Sequence, residues 1–128
     1  MYARPVRVHH LAFRTPNLSR LEHFYKEVVG LEVLRRDGVR SAWLDAGGTI
    51  LMLESAADGE PAVDARSLEL TCFGVEPGDH LGIVRRLEAA GVGIEGRTAY
   101  SLYFRDPDGR RIGVSSYPTE LEALPPSS

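Results

Sequence analysis

Apolar and polar positions alternate in two short stretches of the chain, and each stretch leads into a segment where apolar positions return every three or four residues. His9 to Thr15 (HHLAFRT) and Glu69 to Val75 (ELTCFGV) carry the period of two that marks a half-buried strand. After the first, Leu18, Leu21, Tyr25 and Val28 trace one stripe of a helix that Gly30 ends. Asn17 or Ser19 can cap it, and Ser19 and Glu22 have capping-box spacing. After the second, Pro77-Gly78-Asp79 offers a turn and a cap, Leu81, Val84 and Leu87 form the stripe, and Gly91 closes it. Three strand-like stretches follow each helix: LEVLRR, RSAWLDA and TILMLES in the first half, VGIEGR, YSLYFRD and RRIGVSS in the second.

The pattern is therefore written twice, with residues 8 to 55 resembling residues 68 to 116 and Phe13 standing sixty residues from Phe73. This order predicts an α+β chain of two βαβββ modules, the first about 6–57 and the second about 66–118, with a Pro-containing tail at 119–128. Register follows from the turns. Asp106-Pro107-Asp108-Gly109 suits a type I turn, and Ala46-Gly47-Gly48 is one residue tighter. With that gap placed, Trp43 corresponds to Tyr103, Met52 to Gly113 and His10 to Leu70.

Composition narrows the function classes. A chain of 128 residues with 43% apolar and 26% charged residues can bury one core. A net charge of -3, with basic residues clustered no further than pairs such as Arg35-Arg36, argues against nucleic acid as a partner. Cys72 is the only cysteine, so an internal disulfide and a thiolate metal cluster are excluded, and a reducing, cytoplasmic setting is expected. No apolar run of signal-peptide length opens the chain, and none approaches the roughly 20 residues of a membrane span, so no membrane partner is expected.

HHLAFRTPNLSRLEHFYKEVVGLEVL resembles the opening of a glyoxalase-type module and YFRDPDGRRIGV resembles its close, so that the likeness covers nearly the whole chain. It is to the glyoxalase, bleomycin-resistance and extradiol-dioxygenase superfamily, the vicinal-oxygen-chelate fold. The resemblance implies two cupped sheets around a pocket, helices outside, and a divalent metal held by inward residues of the first and last strand of each module. The matching positions here are His10, Met52, Leu70 and Gly113. One imidazole and one thioether are a poor donor set for a hard cation, and a catalytic centre normally needs about three protein ligands. No metal cofactor is therefore expected. The alternative is a residual site of His10 with Glu54, two residues beyond Met52 on the same face, or with Glu69, which a one-residue slip of register turns inward.

The candidate ligand-binding residues are His10, Arg14, Trp43, Met52, Glu54, Leu70, Ser101, Tyr103 and Arg111. Alternation puts His10 and Arg14 on one strand face, and His9 on the other. An inward Arg14 can hold a carboxylate or phosphate bidentately; as a rim residue it would pair with Glu54 or Asp45. Trp43 and Tyr103 are either pocket aromatics or core. SLYFRDPDG is similar to the matching stretch of fosfomycin-resistance thiol transferases, which implies a pocket role for Ser101 and Tyr103. Gly113 leaves room between Arg111 and Ser115, Cys72 reads as inert packing, and His23 and His80 read as solvent-facing helix residues.

These residues predict a protein that binds a small amphipathic or aromatic molecule without a metal. The alternatives are a metal-dependent lyase, isomerase or dioxygenase of the superfamily, and a metal-independent enzyme with His10 as general base and Tyr103 or Arg14 stabilising an enolate. A homodimer is expected, because strand edges need a partner and resembling proteins complete their pockets by pairing modules within or between chains.

Overall fold

The computed structural model describes residues 5–123. Half of the proposed tail, from residue 124 on, lies outside the described residues. Strands β1 (His10–Thr15), β2 (Glu32–Asp37), β3 (Ser41–Asp45) and β4 (Ile50–Ser55) form one sheet in the order β1-β4-β3-β2. Strands β5 (Leu70–Gly74), β6 (Gly96–Arg97), β7 (Ser101–Arg105) and β8 (Arg111–Ser115) form a second in the order β5-β8-β7-β6. Both are mixed: β1 runs parallel to β4 and β5 to β8, and the remaining pairs are antiparallel. The fold is α+β.

Register repeats between the halves. Ala12, Met52 and Trp43 form one row, and Cys72, Gly113 and Tyr103 form its counterpart; His10 faces Ile50 as Leu70 faces Arg111. The turns explain why. Asp106 Oδ1 accepts from the backbone of Asp108 and Arg110, and Gly109 turns the chain at φ +96°, where a Cβ would lie 2.8 Å from Cβ of Ala65. The sixth strand is shorter than VGIEGR suggests. Only Gly96 and Arg97 pair with β7, because the glycines at 93 and 96 carry no side chain to pack and Ile94 stays exposed at the outer edge.

The first helix departs most from its sequence pattern. Asn17 caps it, its Oδ1 accepting from Arg20 N at 3.1 Å, and the Ser19–Glu22 box is not used. α1 (Leu18–His23) then widens into a π-helical segment, Phe24–Val29, that ends at Gly30 with φ +99°. The wider turn buries adjacent pairs, Phe24 with Tyr25 and Val28 with Val29, beside Leu21. One apolar stripe faces one sheet, whereas paired positions serve two. Leu21 and the pairs join Ala42, Leu44, Leu51 and Leu53 of the first sheet and Leu102, Phe104, Ile112 and Val114 of the second in a single core. Phe24 meets Phe104 at 6.2 Å between ring centroids, and Tyr25 meets Phe13 at 5.8 Å and Phe73 at 6.3 Å. Each fully buried Leu or Phe contributes about 1.5–3 kcal/mol.

α2 (His80–Ala89) lies beside this segment, and its Arg86 Nε donates to Val28 O at 2.9 Å. His80 does not face solvent. Its ring is completely buried with neither nitrogen hydrogen-bonded, because the first turn of α2 points it into the core; His23 is exposed.

Candidate functional site

Each sheet turns one face to the shared core and leaves the other open. On the open face of the first sheet, Trp43 and Met52 are direct cross-strand partners, and the Arg35 guanidinium lies 5.2 Å from the centre of the Trp43 ring system. One row along, Arg14 faces Glu54, with 3.8 Å between Arg14 Nη1 and Glu54 Oε1. His10 stands at the exposed start of the edge strand. Its Nδ1 is 3.0 Å from Nδ1 of His9, so the two rings are neighbours rather than pointing apart; His9 precedes the regular strand and alternation does not bind it.

On the open face of the second sheet, the Arg111 guanidinium stacks 4.6 Å over the Tyr103 ring, and its Nη1 donates to Leu68 O at 3.2 Å. Its Nε, buried, lies 3.7 Å from Glu95 Oε1 and makes no hydrogen bond. Ser101 and Ser115 are joined Oγ to Oγ at 2.8 Å. Leu70 is exposed on the outer strand. Gly113 leaves no gap: a Cβ there would meet Tyr103 Cδ1 at 3.0 Å, Leu102 O at 3.1 Å and Cys72 Sγ at 3.2 Å. The Tyr103 ring occupies the space that the missing side chain frees. Cys72 is exposed on the outer strand rather than packed, and partial desolvation pushes its thiol up, away from the reactive thiolate.

The candidates thus form two groups, His10, Arg14, Trp43, Met52 and Glu54 on one sheet and Leu70, Ser101, Tyr103 and Arg111 on the other. Among the described residues no hydrogen bond, ion pair or aromatic contact joins the two open faces. Their net charges differ in sign. The first face carries Arg14 and Arg35 against Glu32, Asp37, Asp45 and Glu54, and the second carries Arg105 and Arg111 against Glu95.

Pattern reading missed three participants. Glu95 receives Arg105 bidentately, Nε to Oε2 at 2.6 Å and Nη2 to Oε1 at 2.9 Å, and Arg105 holds its carboxyl below the usual range. Glu60, on the connection between modules, receives Arg14 in the same manner, at 3.1 and 2.8 Å. Arg105 was legible by alternation from Tyr103; Glu60 and Glu95 lie in loops, where no period assigns a direction.

The residues do not fit the metal that the fold implies. At the four ligand positions Leu70 and Gly113 offer no donor atom, and β5 keeps Leu70 opposite Arg111, so Glu69 is not turned inward by a slip. Among the described residues no three His, Cys, Asp or Glu side chains are grouped to hold an ion, and no helix is long and apolar enough to cross a membrane.

The profile of the Glyoxalase/Bleomycin resistance protein/Dioxygenase superfamily matches residues 7–114. The metallothiol transferase FosB of Shouchella clausii (strain KSM-K16) is 30% identical over 117 aligned residues, covering 84% of this chain and 77% of the relative. Among solved structures, a glyoxalase/dioxygenase from Nostoc punctiforme superposes with a TM-score of 0.71 at 22% identity, over 91% of this chain and 92% of that one. A possible glyoxalase from Bacillus cereus gives 0.70 at 23% identity, over 87% and 99%. These likenesses are of fold, and the profile match spans both modules. The chain belongs to the glyoxalase/bleomycin resistance protein/dioxygenase superfamily.

Proposed function

We propose that this protein binds a small amphipathic or aromatic molecule without a metal, in a cup that a second copy of the chain completes. The observation that carries the reading is the Trp43–Met52 pair on an open sheet face beside Arg14 and Arg35. An indole, a thioether and two guanidinium groups suit a flat, partly polar ligand. A single cysteine, which leaves no internal disulfide to form, supports a reducing compartment, and with it a cytoplasmic setting.

Three features support the second copy. β1 and β5 are outer strands paired on one side only, Val8, Leu68 and Leu70 stand exposed on or next to them, and the two open faces are opposite in net charge. A partner that sets the first face of one chain against the second face of the other unites the two residue groups. Sedimentation at tens of micromolar tests the dimer. Titration of Trp43 emission with flat aromatic compounds tests binding, since no other tryptophan contributes. A monomer with unresponsive Trp43 refutes the reading.

The relative named a metallothiol transferase supports a second reading, a metal-dependent enzyme holding its ion through His10; Glu54 stands opposite Arg14, four positions along the strand from His10, roughly 13 Å away, and does not share that ion. Elemental analysis of protein purified without chelator decides between them. Well under one equivalent of transition metal is expected, and a stoichiometric ion lost in His10→Ala favours the enzyme.

A further inference from the structure

Between the modules, residues 56–63 run past the end of β1 and border an open cleft of about 460 Å³, lined among others by Arg14, Arg20, Glu60, Pro61, Pro107 and Asp108. Volumes of this order accommodate small organic ligands. Both arginines lining it meet a carboxylate: Arg20 Nη2 is 2.9 Å from Asp108 Oδ1, and Arg14 presents Nε and Nη2 side-on to both oxygens of Glu60.

The two pairs differ in how they are held. Asp108 belongs to the rigid turn before β8, whose backbone Asp106 ties down. Glu60 stands on a short exposed turn, with its N bonded to Ala57 O at 3.1 Å and its Oε1 accepting from Ala57 N at 3.1 Å. Arg14, in contrast, is fixed at its backbone, since its carbonyl accepts from Arg110 Nη2. A planar guanidinium fork on a fixed strand thus already holds a carboxylate supplied by the connection between the modules. Hydrogen bonding from Arg14, then from the Ala57 amide, keeps the Glu60 carboxyl below its usual range, so the pair is charged at neutral pH.

We propose that this cleft is a site for a small carboxylate whose anchor is Arg14, and that Glu60 is a built-in competitor which must release the arginine before the ligand enters. The proposal goes beyond ligand binding on the sheet faces, with which it shares only Arg14. It follows that apparent affinity is reduced by the fraction of molecules in which Glu60 occupies the fork.

The test is calorimetric titration of the intact protein with phenylacetate, and with neutral phenylacetamide as a control. Glu60→Gln should bind phenylacetate roughly two- to five-fold more tightly than wild type, the range set by opening a solvent-exposed pair. Glu60→Ala provides the same reading if the amide finds a new partner. Asp58→Asn removes an equal charge from the same turn without freeing Arg14, and should change affinity much less. Arg14→Gln, or Arg14→Lys if the first does not fold, should abolish or sharply weaken the gain. No gain in either Glu60 variant, an equal gain in Asp58→Asn, or a gain that survives loss of Arg14 overturns the proposal. Phenylacetamide separates it from the sheet-face reading: loss of its binding in Trp43→Ala bears on that reading alone, and a Glu60 gain for phenylacetate that persists in the Trp43→Ala background bears on this one.

Discussion

The Tyr25 hydroxyl donates a 2.7 Å hydrogen bond to Oδ2 of Asp106, joining the helix of the first module to the last turn of the second in a fully buried contact. Asp106 is compensated further by Arg110 Nη1 at 3.2 Å and by the two turn amides on its other oxygen. A buried carboxylate is tolerated because every oxygen has donors. Tyr25 touches both sheets, so this bond ties the repeats together.

Tyr25→Phe should therefore destabilise the chain by about 1.5–3 kcal/mol, the usual worth of a hydrogen bond to a charged group, with the midpoint falling in urea denaturation. Burial, and next the Asp106 charge, hold the phenol of Tyr25 well above its ordinary value. Its contribution is fully present below the unfolded value of about 10 and is lost as pH rises through the folded one. Wild type should lose stability in alkali more steeply than Tyr25→Phe.

His80 is buried with both ring nitrogens unpartnered. Replacing it by an apolar side chain of similar size removes polar groups that had to be desolvated without return, so His80→Leu should hold the melting temperature or raise it by about 1 kcal/mol equivalent. A thermal melt with a lower midpoint would show that the ring is held by an ordered water.

At Gly113 the obstacle is backbone as well as ring: Leu102 O cannot retreat as Tyr103 can. Gly113→Ala should cost about 1–3 kcal/mol in chemical denaturation, as overpacking does. An unchanged midpoint would mean that the strands at this row have slack.

Trp43 is half-buried on an open face, so its truncation should be felt more in binding than in folding. We expect Trp43→Ala to weaken an aromatic ligand by about 1–3 kcal/mol and Trp43→Phe to retain much of the affinity, because most of the contact area is kept. A collapsed melting point in Trp43→Ala, at the 3–5 kcal/mol typical of a large core residue, would instead assign the indole to the core.

Local periodicity determined a good deal. Phe13 and Phe73 mark equivalent strands, the one-residue difference between the Ala46 and Asp106 turns predicts that Met52 corresponds to Gly113 and Trp43 to Tyr103, as the matching rows of the two sheets have it, and the alternation around Ile112 and Val114 separates packed from open positions. Such features are legible because neighbouring side chains on a strand must alternate and a turn of given length admits one register. Tertiary structure decided the rest. A helical stripe does not say that it must serve two sheets, so the π-helical widening at Phe24–Val29 and the burial of His80 depend on how the modules meet. Glu60 and Glu95 sit in loops without a period, and their arginine partners lie 46 and 10 residues away. The two groups of candidate residues belong to different sheets for the same reason: spacing orders side chains within an element, and only packing between elements determines which faces meet.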